Sequence, residues 1–166
     1  MSSDLVKFIL PAEFVVERVQ LRPCEVAWGY SSGWLDDEGV VTVAASLSAE
    51  GAAGDAALPL LARLATDEWG RAPELIGDVV VEPGNGCRRV WLYLALDWVH
   101  AHAELFDSPW QTVEMIYADF DYPEEVAGFV RFMPPPDGAA TGFAAMEERW
   151  NEYLAAMAAE YSARRA

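Results

Sequence analysis

A chain of 166 residues with 53% hydrophobic content, seven Trp, seven Phe and six Tyr can bury a core as one domain over residues 1–166 and is not expected to be disordered. Its 27 acids against 11 bases give a formal net charge of −16, which repels phosphate backbones and anionic lipid and so argues against nucleic acid and membrane as partners. No apolar run approaches the roughly 18 residues of a bilayer span, the start lacks the basic leader of a secretory signal, and two distant cysteines, Cys24 and Cys87, fit a reduced, cytoplasmic protein.

Pro11 opens a short helix ending near Arg18, with Phe14 and Val15 as core candidates. Pro23 opens a second, with Glu25 in its first turn, and Gly29, Ser31, Ser32 and Gly33 end it so that Trp34 and Leu35 can tuck back. Cys24 in that first turn is a candidate for a lowered thiol pKa, although no His/Asn set accompanies it. Asp36 is placed to cap a third helix over Glu38 to Ser48, stopped by the loop from Gly51 to Gly54. Asp55 caps a fourth, with Leu58, Leu61, Leu64 and Ala65 at helical spacing and Pro59 in the first turn. Residues 72–82 read as a short helix or as a strand end at Val79 to Val81; helix is favoured because the neighbouring segments are helical. PGNG at 83–86 is a turn.

Arg88 to Phe106 is the longest apolar helix, to be wrapped by neighbours over most of its girth. Arg89, Tyr93, Asp97, His100 and Glu104 fall on one narrow polar stripe along it. That stripe is a solvated seam held by Asp97–His100 and His100–Glu104 pairs, a groove facing a ligand or partner, or a metal site on Asp97, His100 and Glu104. His102, nearly opposite, reads as a packed histidine satisfied by a neighbouring element. Ser108 and Pro109 start the next helix, with Trp110, Val113, Ile116, Tyr117 and Phe120 on one face. Pro123 restarts the chain as a helix burying Val126, Phe129, Val130 and Met133.

Glu114, Asp119, Asp121, Glu124 and Glu125 crowd this elbow, with no base before Arg131. A helix N-terminus favours Asp121, Glu124 and Glu125, but Asp119 ends the preceding helix at the wrong pole of its dipole, which points to a basic partner. Phe132 is either covered by Pro134, Pro135 and Pro136 or exposed as an interface anchor. The final helix runs from Thr141 to Arg164, with Phe143, Met146, Trp150, Tyr153, Leu154, Met157 and Tyr161 on one stripe and Arg164 and Arg165 at its C-terminal pole. Eight or nine helices on short loops, with no repeat of 30 to 45 residues, predict an all-α fold: an irregular single-domain helical bundle and not a solenoid.

The segments EMIYADFDYPEEVAGFVRFMP and EVAWGYSSGWLDDEGVV together resemble an uncharacterised bacterial family, domain of unknown function 2247. The resemblance implies a full-length match and transfers no catalytic residue. Small acidic families of this kind resemble immunity proteins of toxin systems. No Walker loop, G-x-S-x-G, G-x-G-x-x-G or CxxC pair is present. The expectation is therefore a non-enzymatic cytoplasmic module, without metal or cofactor, that neutralises a basic toxin. Its candidate partner-binding residues are Asp119, Asp121, Glu124, Glu125 and Phe132. The alternative is a metal-dependent enzyme or ligand-binding module on the stripe from Arg89 to Glu104.

Overall fold

The computed structural model describes residues 8–54, 57–79, 86–131, 133, 138 and 141–165. Among them the chain is all-helical, with eight α-helices, four short 3-10 segments and no strand. They fall into two units, residues 8–91 with 161–165, and residues 92–160. Among the described residues no helix is long and apolar enough to cross a membrane.

The first unit contains α1 (Ala12–Arg18), α2 (Pro23–Ser31), α3 (Asp37–Ala49), α4 (Ala57–Ala62) and α5 (Ala72–Gly77), with a 3-10 segment at Thr66–Arg71. α3 is its centre and packs on α1, α2, α4 and α5. Val40, Val41, Val43, Ala44 and Leu47 are buried on it, with Gly39. Three valines in four positions are poor helix formers, so α3 is held by packing and by Asp36, whose carboxylate accepts the Gly39 N–H at 2.7 Å. At the start of α2, Glu25 reaches back to accept the Arg22 N–H at 2.8 Å behind Pro23. α2 runs through Gly29 to Ser31, because Gly29 serves packing: a Cβ there would overlap the Trp91 indole. Gly33, at φ 89°, reverses the chain, and Trp34 and Leu35 are buried.

Three expectations are corrected in this unit. α4 stops at Ala62, short of Leu64 and Ala65, because Arg63 and Leu64 tighten into i→i+3 bonds before Glu68 caps the Ala65 N–H at 3.0 Å. α5 stops at Gly77, with Asp78 and Val79 closing the turn, rather than running through residues 72–82. Asp55 and residues 80–85 lie outside the described residues. Cys24 and Cys87 are not reduced but form a disulfide with Cα atoms 5.6 Å apart, so no thiol remains to act as a nucleophile.

The second unit holds α6 (Arg89–Ala101) from Leu92 onward, α7 (Pro109–Asp119), and α8 (Phe143–Ser162) up to Glu160, with 3-10 turns at Ala103–Leu105 and Glu124–Phe129. α8 is the longest helix described, at 20 residues, and α6 has 13. α6 breaks before Phe106 because His102 leaves helical backbone, stacking its ring on Trp98 at 3.8 Å with Nδ1 3.1 Å from the Trp98 carbonyl. The histidine is thus packed on its own helix through Trp98.

α7 buries Val113, Ile116 and Tyr117, and Phe120 follows them into the core. Its N-terminus is capped by Ser108, which accepts the Gln111 N–H at 3.2 Å. Beyond Pro123 the chain takes a 3-10 rather than an α-helical path, and Val126, Phe129 and Val130 are still buried. On α8, Trp150, Tyr153 and Met157 are buried, with Trp150 stacked on Phe129 at 5.8 Å. Phe143, expected on that buried stripe, is 58% exposed and touches Trp110 only at a tilt.

Candidate functional site

The elbow after α7 differs from the expected acidic rim in two ways. Glu114 is engaged: Arg131 donates from Nε and Nη2 to its two oxygens at 2.6 and 3.1 Å, and this hydrogen bonding raises the guanidinium pKa above its ordinary value. Asp119 is half-buried at the end of α7, whereas Asp121, Glu124 and Glu125 are exposed. Phe132 lies outside the described residues.

Tyr122, which the sequence did not single out, stands 59% exposed between Asp121 and Glu124. Asp121 and Tyr122 both adopt left-handed backbone, at φ 63° and 57°, an uncommon conformation for side chains of their kind. The turn is closed by the Tyr122 N–H donating to the Tyr117 carbonyl at 2.8 Å, and the two tyrosine rings meet edge to face at 5.3 Å. Tyr122 is thus an exposed aromatic residue in a tight turn whose sequence neighbours Asp121, Glu124 and Glu125 are also exposed. The YP dipeptide carries a trace of this in the sequence, since a residue before proline is disfavoured in helix.

The residues of the expected stripe differ in burial. Arg89 is half-buried in the first unit. In the second, Tyr93 is buried and Asp97 half-buried. Glu104 is exposed and sits in the 3-10 turn beyond α6, so it no longer follows the helical spacing. His100 Nε2 is 2.7 Å from Glu147 of α8, and its ring meets Trp150 edge-on at 4.8 Å. The partner of His100 is thus Glu147, not Glu104 as the i,i+4 spacing suggested. Among the described residues no group of three or more His, Cys, Asp or Glu is placed to hold a metal ion.

In the first unit an open cleft of about 750 Å³ is lined by Tyr30, Leu35, Asp36, Asp37, Ile76 and Val79 among others. The Tyr30 hydroxyl donates to Asp37 at 2.6 Å. Burial, and then that hydrogen bond, raise the Tyr30 pKa, so the phenol is neutral at physiological pH.

No curated protein and no solved structure matches the chain. A family model for an uncharacterized protein conserved in bacteria, DUF2247, matches residues 12–158, a span that includes α2 and the whole elbow. The chain belongs to this bacterial family.

Proposed function

We propose that the protein is a non-enzymatic acidic binding module of immunity type, which neutralises a basic protein toxin in the cytoplasm by occluding it. The observation that carries this reading is Tyr122, exposed at the elbow among Asp121, Glu124 and Glu125. An arginine of the partner can stack its guanidinium on the ring, worth roughly 0.5–2 kcal/mol, while the carboxylates accept its N–H donors. Tyrosine is also a preferred interface anchor, because it supplies a large contact area with few torsions to freeze. A net charge of −16 supplies the long-range attraction that steers a basic partner to the surface.

The test is capture of the adjacent gene product, followed by binding kinetics at increasing salt. Affinity and association rate fall as ionic strength rises. Tyr122→Ala weakens binding at least about tenfold with the circular dichroism unchanged. Glu124→Lys with Glu125→Lys slows association. Binding that ignores both salt and these substitutions would end the proposal.

A further inference from the structure

The disulfide lies at a junction of polar contacts. Cys24 sits between Arg22 and Glu25 in the first turn of α2. Arg22 donates from Nη2 to the Gly86 carbonyl at 3.1 Å, immediately before Cys87. The Glu25 carbonyl accepts the Trp91 indole N–H at 2.8 Å, and its carboxylate accepts the Arg164 guanidinium at 2.7 and 3.0 Å. Residues 86–91 are thus tied to α2 by two hydrogen bonds with a covalent bond between them. The two cysteines also differ in access: Cys87 is 1% exposed and Cys24 8%.

We propose that the Cys24–Cys87 bond is a reversible redox latch, closed by oxidation, that fastens residues 86–91 onto the start of α2. The proposal rests on the cytoplasmic setting of the reading above, where a disulfide is characteristically transient or redox-sensing. A dithiol reductant opens it. One thiolate of the reductant attacks the sulfur of Cys24, the more accessible residue, forming a mixed disulfide as the bond to Cys87 breaks. The electron pair leaves on the Cys87 sulfur, which takes up a proton. The second thiol of the reductant loses its proton, attacks the mixed disulfide and displaces Cys24 as a thiolate, which is protonated in turn. The reductant ends as a disulfide and the protein as two thiols, with two electrons and two protons transferred. The bonds from Arg22 to Gly86 and from Trp91 to Glu25 do not depend on the sulfurs, so opening loosens this junction without unfolding the chain.

The experiment uses the full chain, incubated in native buffer with dithiothreitol or with oxidised glutathione. Alkylation with mass spectrometry reads the thiols, and hydrogen exchange reads the backbone. Dithiothreitol is expected to expose two alkylatable cysteines and to speed amide exchange at least about tenfold in residues 22–29, 86–91 and 161–165, with α7 unchanged. Oxidised glutathione restores protection. A pair that resists dithiothreitol is a permanent staple and overturns the latch. So does reduction that leaves those segments protected, or that accelerates exchange across the whole chain. In acid-quenched cells the pair is expected as thiols during growth and as the disulfide after a thiol oxidant; a disulfide in both states also overturns it. Partner binding is measured separately, so loss of the toxin reading leaves the native-buffer result standing.

Discussion

The carboxylate of Glu25 is 1% exposed, and it accepts both Arg164 N–H groups at 2.7 and 3.0 Å as well as the Arg22 N–H at 2.8 Å. A buried charge costs several kcal/mol to desolvate, so its partners decide whether it is tolerated. Arg164→Ala leaves that charge with Arg22 alone and should cost about 3 kcal/mol of unfolding free energy in urea. Arg165→Ala, which breaks a more exposed pair with Glu50 at 3.2 Å, should cost under about 1 kcal/mol. Equal losses would show that the buried pair is not special.

Tyr30 gives a second test at this scale. Its folded pKa is raised above the unfolded value, so the stabilisation it contributes is whole below about pH 10 and is lost as pH climbs toward the folded pKa. Tyr30→Phe should therefore flatten the alkaline fall of the melting temperature while the acid limb stays put. Helix ends governed by neighbours within four residues, such as Asp36 with Gly39 and Ser108 with Gln111, were legible from the sequence. The pairing of Glu25 with Arg164 was not: it spans 139 residues, and each end already had a local helix-dipole reading.

Among the elements, the contact of α2 with the start of α6 has the least room. The Trp91 indole lies over Gly29 and donates to the Glu25 carbonyl, and it is fully buried. Gly29→Ala forces the ring off that bond, and differential scanning calorimetry should record a loss of about 2 kcal/mol or more, despite the better helix propensity of alanine. A neutral result would mean that the indole moves freely. The sequence pattern treats Gly29 as a helix stop because a breaker and a close-packing residue look alike until the facing side chain is known. The end of α6 and the path after Pro123 were hidden for a related reason. His102 folds back on Trp98 and leaves Leu105 exposed, while the 3-10 bonds after Pro123 keep Val126, Phe129 and Val130 buried with a different winding, and periodicity reports burial.

On the scale of the whole molecule, charge is the quantity most directly read from sequence. With −16 on 166 residues the folded state repels itself, so moderate salt should raise the melting temperature. A thermal scan from low to about 0.3 M sodium chloride checks this; a flat or falling curve would mean that pairs such as Arg131–Glu114 outweigh the net repulsion. The candidate site was legible in part. The acidic elbow follows from composition at residues 114–125, but the prominence of Tyr122 comes from two left-handed residues that no spacing rule announces.

The place of Arg164 in the chain also sets an order of events during synthesis. Until Arg164 has left the ribosome, Glu25 waits in a half-built site with Arg22 as its counter-ion, although α1 to α5 have long since emerged. Copies that stop short of Arg164 would therefore carry a buried acid with Arg22 as its sole counter-ion, and should be cleaved by proteases faster than copies that reach it.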